Sequence, residues 1–170
     1  KHLGMVNQKI FSKSFVRENL AYQVFKVNDK LGRLERILKK ITAPIIIYVS
    51  SRKKTKEISN YLNAQDFKST YYHGGLTSIE KQTAFDKWFS EECLIMVATN
   101  AFGMGIDKPN VRAVIHLNLP SSLENYTQEA GRAGRDGKKA FSVVLTNEND
   151  FRSYDDNQTN KFPSIKEIKI

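Results

Sequence analysis

Cys93 is the only cysteine in this chain of 170 residues. An internal disulfide is therefore excluded, and so is a zinc site built from clustered cysteines or from cysteines with histidines. Cys93 heads an apolar run, where a buried thiol is expected. His2, His73 and His116 are scattered and read as structural residues rather than ligands. No apolar stretch approaches the length of a bilayer span, and no signal-peptide pattern opens the chain. Internal repeats and low-complexity segments are also missing. No Gly-x-x-x-x-Gly-Lys-Ser/Thr phosphate loop occurs, and neither does an Asp-Glu-x-His or similar run that could hold magnesium.

Acidic residues are in deficit. Lys and Arg number 27 against 18 Asp and Glu, a formal net charge of +9 that favours a polyanionic partner through counterion release. Apolar residues at 40% and charged residues at 26% are ordinary values for a globular domain, and the length suits one domain with a full core.

Residues 1–19 show little periodicity and read as an entering arm. Ala21 to Val27 alternates and is rich in Val, Phe and Tyr, as a strand would be. Asn28 can cap a helix carrying Leu31, Leu34, Ile37, Leu38 and Ile41 at helical spacing. Pro44 to Val49 is a β-branched run expected to be buried on both faces. A helix is expected over Thr55 to Gln65, then a strand over Lys68 to His73 with Tyr71 and Tyr72 divided between core and surface. Thr77 to Glu80 spells a capping box for a helix reaching Phe89. Strands at Leu94 to Thr99 and Ala113 to Leu117 follow. Ser121 to Glu124 offers a second capping box for a helix ending near Ala130, and Ala140 to Leu145 is the last strand. From Glu148 the tail is polar and expected to be partly helical. The alternation predicts an α/β domain over 20–149, with a mostly parallel sheet covered by helices on both faces. Ligands of such sheets collect beyond the carboxyl ends of the strands. Ser50-Ser51-Arg52, Gly74-Gly75 and Thr99 to Gly105 all fall there.

Two runs carry the chemistry. In Gln128-Glu129-Ala130-Gly131-Arg132-Ala133-Gly134-Arg135-Asp136-Gly137 two arginines lie three residues apart, just past a predicted helix, on a glycine-rich turn. Glycine lets backbone approach a ligand, and a guanidinium fork matches phosphate oxygens. Such a pair can neutralise charge on a transferring phosphoryl group; the plainer reading is a basic surface turn. The second run, Thr99-Asn100-Ala101-Phe102-Gly103-Met104-Gly105-Ile106-Asp107, directly follows an apolar strand. Together they resemble motifs V and VI of helicases built from two RecA-like domains. The spelling from Phe102 to Arg112 and from Gly131 to Gly137 is similar to that of the RecQ family of DNA helicases.

That resemblance, which covers nearly everything from Ser14 to about Asn149, implies a RecA-like three-layer fold and a set of roles. Arg135 would be an arginine finger reaching ATP held by a partner domain, with Arg132 its companion on the phosphates. Gln128, Asp107 and Gly105 would lie on the nucleotide side. Ile46 to Arg52 resembles motif IV, so that Ser51 and Arg52, with Gly74 and Thr99, would track the DNA backbone. Gln128 stands where RNA helicases of the DEAD-box type usually have His-Arg, which favours a DNA motor. Asp136 would either orient the finger through a charged pair or remain a solvated turn residue. Phe102 and Met104 would pack on the core or on a neighbouring domain. The missing phosphate loop and magnesium ligands imply that the chain holds half of an ATPase site. ATP and Mg²⁺ would be held mainly by an N-terminal RecA-like domain ahead of Lys1.

The implied activity is ATP-dependent 3′ to 5′ translocation on DNA, at single-strand/duplex junctions, in the cytoplasm and associated with the nucleoid. Many RecQ relatives continue into a four-cysteine zinc module. The tail at 150–170 has no cysteine, so either the module follows or this member lacks it, and Pro163 with the Ile-rich turn after it favours the latter. Alternatives are a passive nucleic-acid-binding module on the same scaffold, or another DNA or RNA translocase. A dinucleotide- or flavin-binding domain is disfavoured, since no strand is followed by the corresponding Gly fingerprint.

Overall fold

Ile45–Tyr48 (β2), Ile95–Ala98 (β4) and Ala113–His116 (β5) are buried at every position, because the sheet they form is covered on both faces. The computed structural model describes residues 16–103 and 106–152. Around those strands lie β1 (Leu20–Lys26), β3 (Ser69–Tyr72) and β6 (Ala140–Thr146), with helices α1 (Lys30–Leu38), α2 (Arg52–Ala64), α3 (Ser78–Phe89) and α4 (Leu123–Ala130). The sheet order is β1-β6-β5-β2-β4-β3 and every pairing is parallel. The expected "mostly parallel" sheet is thus wholly parallel among the described residues.

Alternate residues of the central strands feed two cores. Ile45, Ile47, Val97 and Ile115 pack against Leu34 and Leu38 of α1 and Leu62 of α2. Ile46, Tyr48, Met96 and Val114 face the other way, onto Ala84 and Trp88 of α3. Trp88 is fully buried and its indole N–H donates to the carbonyl of Ile45 at 3.2 Å, fixing α3 to the start of β2.

Helix starts show where the sequence reading needs correction. The cap of α1 is Asp29, not Asn28, and it accepts from the Gly32 amide at 2.9 Å. Helix α2 begins at Arg52 rather than Thr55, because the Ser51 hydroxyl accepts the Lys54 amide and captures an extra turn. The Thr77–Glu80 capping box forms as expected. In α4 the cap is Ser122, so Asn125 and not Glu124 takes the third helical position and no reciprocal box forms. Ser121, the expected cap, is instead bonded to the Asn125 side chain at 2.6 Å. Tyr71 and Tyr72 do not divide into core and surface: both are half-buried, on opposite faces of the sheet. Cys93 is also half-buried rather than enclosed, with burial pushing its thiol up.

The pairing of β1 with β6 aligns Leu20 with Ala140. It thereby places the end of the entering arm beside the turn that leads into β6. Residues 148–152 are helical, and Lys30 holds Asp150 at 2.5 Å. Residues 1–15 and 153–170, with most of the expected arm and tail, lie outside the described residues.

Trp88→Ala should cost about 3–5 kcal/mol in urea unfolding through cavity formation and a lost hydrogen bond. Ile79→Ala in the same helix, at an 80% exposed site, should change stability by less than about 0.5 kcal/mol. Comparable losses at the two positions would contradict the packing described.

Candidate functional site

Helix α4 ends at Ala130, and the chain turns back toward β6 through Gly134 at φ +62. The Gly134 amide donates to the Val111 carbonyl at 2.8 Å, pinning the turn to the segment entering β5. From this turn both arginines reach the loop after β4. The half-buried Arg132 donates through Nη1 to the Gly103 carbonyl, and a Cβ at Gly103 would lie 2.5 Å from Arg132 Nη2. A side chain at position 103 would require the end of Arg132 to shift from this position. Its Nε is buried without a hydrogen-bond partner among the described residues. Arg135 donates through Nη1 to the Ile106 carbonyl at 2.8 Å and to Asp107 Oδ1 at 3.0 Å.

These two arginines, with Gln128, Thr127, Ile106 and Asp107, line an open cavity of about 670 Å³. The structure therefore brings together four of the residues expected on the nucleotide side. Gly105, the fifth, lies with Met104 outside the described residues. A concave opening flanked by two guanidinium groups suits a polyphosphate. Among the described residues no cluster of three or more His, Cys, Asp or Glu could hold a metal.

Asp136 does not orient the finger; it is an exposed turn residue with partners of its own. Its carboxylate pairs with Arg112 and accepts the Lys138 amide at 3.1 Å. Burial raises its pKa, but those bonds outweigh burial and hold the carboxyl below its ordinary value. The acid facing Arg135 is Asp107.

Behind the loop lies a buried polar group that the sequence reading missed. Tyr48, at the end of β2, donates its hydroxyl to the Phe102 carbonyl at 2.8 Å. Burial pushes its phenol well above the usual value, against the opposing charge of Arg132, so it remains a neutral donor. His116 stacks on Tyr48 with ring centres 5.3 Å apart, and its Nε2 meets Glu129 Oε2 of α4 at 2.7 Å. Phe102 itself is 1% exposed and packs on Tyr72 and Trp88, in the core as expected. Tyr48 and His116 escape a sequence reading because nothing in their spacing announces contacts made across the sheet.

The residues expected to meet DNA lie at the carboxyl ends of β2, β3 and β4, which are neighbours in the sheet. Arg52 folds over the next turn, where a Cβ on Gly75 would come within 2.9 Å of its Nη1. Arg52, Lys53, Lys56 and His73 line a cleft of about 390 Å³, closed by Glu57 and Asn60. Ser51 is exposed, but its oxygen is engaged as the α2 cap. Gly74 is exposed beside Ala101, while Thr99 is half-buried and its amide donates to the Tyr72 carbonyl at 3.2 Å. Of the two glycine amides, that of Gly75 donates to His73 Nδ1 at 3.2 Å.

Comparison with known proteins agrees with this geometry. Residues 29–137 match the helicase conserved C-terminal domain. The chain is 41% identical over 153 residues to a putative ATP-dependent DNA helicase Q1 of Caenorhabditis briggsae, covering 85% of this chain and 24% of that protein. It is 36% identical over 146 residues to the ATP-dependent DNA helicase RecQ of Bacillus subtilis, covering 85% and 25%. The chain thus spans about a quarter of the length of these relatives. Among solved structures, the yeast DEAD-box splicing factor Prp28 superposes with a TM-score of 0.76 at 20% identity, over 89% of this chain and 34% of that one. A DEAD-box protein from Methanococcus jannaschii gives 0.70 at 25% identity, over 85% and 41%. These likenesses give the fold as RecA-like. The chain belongs to the helicase conserved C-terminal domain family, within its RecQ type.

Proposed function

We propose that the chain is the second motor domain of an ATP-dependent 3′ to 5′ DNA helicase, supplying the arginine finger and part of the single-strand track. The observation that carries this reading is the convergence of Arg132, Arg135, Gln128 and Asp107 on one open cavity. ATP is the substrate, held with magnesium mainly by a first RecA-like domain of the same protein. Arg135, partly in solvent and bonded among the described residues to Ile106 and Asp107, is free to exchange those partners for phosphate oxygens. Its task is to meet the charge that develops on the transferring phosphoryl group. Arg132, more deeply set, holds the Gly103 carbonyl and gives the cavity its floor. Gln128 and Asp107 add polar contacts at the rim.

On the other side, Arg52 and the turns after β3 and β4 would grip the phosphate backbone, with Ser51, Gly74 and Thr99 at the contact. Such contacts carry no base information, so binding should be indifferent to sequence and sensitive to salt. Closing and reopening the cleft between the two domains would then move the protein along one strand. The segment at 150–170 would lead toward a following domain.

In a protein carrying both RecA-like domains, Arg135→Ala should lower ATP turnover on the order of 10³- to 10⁵-fold, with ATP and DNA affinities close to wild type. Arg135→Lys should restore little, because an ammonium lacks the planar fork. A folded Arg135→Ala protein that still unwinds DNA would remove the finger from the account. For the track, Arg52→Ala should weaken DNA binding equally for all sequences and reduce the salt slope by about 1. An altered base preference at an unchanged slope would contradict backbone contact.

A further inference from the structure

The turn bearing the two arginines is held from outside as well as from within. Arg17, in the arm just ahead of β1, donates Nη1 to the Gly131 carbonyl at 3.3 Å. Its Nη2 donates to the Ala133 carbonyl at 2.9 Å and to the Gly134 carbonyl at 2.7 Å. Asn19 donates Nδ2 to the Gly134 carbonyl at 2.8 Å and to the Lys138 carbonyl at 2.9 Å, and lies 3.5 Å from Arg17 Nε. Two side chains of the arm thus deliver five hydrogen bonds to four carbonyls of the turn. Ala133 and Gly134 are the two residues between Arg132 and Arg135, so the bonded carbonyls belong to the backbone from which both arginines project.

Gly131 is the C-cap residue of α4, and Ala133 and Gly134 follow it in the turn. The α4 carbonyls of Thr127, Glu129 and Ala130 accept the turn amides of Gly131, Arg132 and Ala133. Arg17 therefore serves the carbonyls of the turn itself, where the negative end of the helix dipole also attracts a cation. Helix caps are usually local, and α4 has no basic residue in its last turn. Here the cation comes from the far end of the sequence, because β1 lies against β6. The same pairing lets the Asn19 carbonyl accept the Ala140 amide at 2.9 Å. On its inner side the turn is bonded through Gly134 to Val111. The arginine turn is therefore clamped between the approach to β5 and the arm.

We propose that Arg17 is a positioning residue for Arg135, so that the placement of the arm sets the placement of the arginine turn. This rests on reading Arg135 as the finger. The arm is the stretch through which a preceding RecA-like domain would be joined. Arg17 touches no substrate; it acts through the backbone on which Arg135 is mounted.

The test compares Arg17→Lys, Arg135→Ala and wild type in a protein carrying both RecA-like domains, by DNA-stimulated ATP turnover and thermal melting. Arg17→Lys keeps the charge but loses the fork that spans three carbonyls. Expected for Arg17→Lys is a kcat lower on the order of 10- to 100-fold in folded protein, the scale of a misplacement near 1 Å, with KM for ATP close to wild type. A wild-type kcat, or a loss accounted for by the unfolded fraction alone, overturns the proposal. If Arg17→Lys fails to fold, Asn19→Ala, which withdraws two donors from the same turn, is judged by the same two criteria. Turnover abolished by Arg135→Ala but kept by Arg17→Lys sinks this inference alone. Turnover kept by Arg135→Ala removes the reading beneath it.

Discussion

The loop after β4 leaves the sheet with carbonyls that no strand or helix satisfies, and the rest of the site is arranged around supplying their donors. Tyr48 serves Phe102, Arg132 serves Gly103 and Arg135 serves Ile106. Backbone carbonyls withdrawn from water require partners, which Tyr48 and Arg132 supply to Phe102 and Gly103, while the Arg135 bond to Ile106 is exposed. The donors come from a strand end and from a turn about 85 residues later in the chain, so the loop is where distant parts of the sequence are brought into register. Gly103 is part of this constraint, since a side chain there would push Arg132 away.

The same arrangement brings the two sides of the site together. Tyr48 ends β2, immediately before the turn that carries Ser51 and Arg52. Its hydroxyl touches the loop that continues to Asp107, and its ring lies on His116, which is bonded to Glu129 on the helix that ends in the arginine turn. The strand ends read as a DNA track and the cavity read as a nucleotide site therefore share one buried polar group. With Arg17 and Asn19 holding the outer side of the turn, Arg132 and Arg135 are mounted on backbone bonded from the core, from β5 and from the arm. Fixed mounting is what a group meeting transition-state charge requires.

Much of this was legible in the sequence. Runs such as Ile-Ile-Ile-Tyr and Ile-Met-Val-Ala mark strands buried on both faces, and the Thr77–Glu80 box marks its helix correctly, because these signals are local. Glycine spacing around the arginines located the turn, and the strand-to-loop order placed the candidate residues at one edge of the sheet. Capping was less legible where two residues able to cap stand side by side, since the residue expected, Asn28 or Ser121, is in each case the one before the true cap. Asp29 prevails over Asn28, and Ser122 over Ser121, through the registers their side chains can reach. Partner choice was not legible at all. That Asp136 pairs with Arg112, or that Arg17 bonds a turn more than a hundred residues away, depends on which strands are neighbours, and β1 against β6 joins opposite ends of the domain.

The central claim is that the arginine turn and the loop it holds form one half of an ATPase site, completed by groups this chain does not carry. ATP hydrolysis by the purified 170-residue chain, measured with magnesium and with or without single-stranded DNA, tests it most directly. The account predicts no turnover above background in either condition, because a finger without a phosphate loop and magnesium ligands has no substrate in place to act on. Robust turnover by the chain alone would show that the whole site lies within it, and would contradict the account.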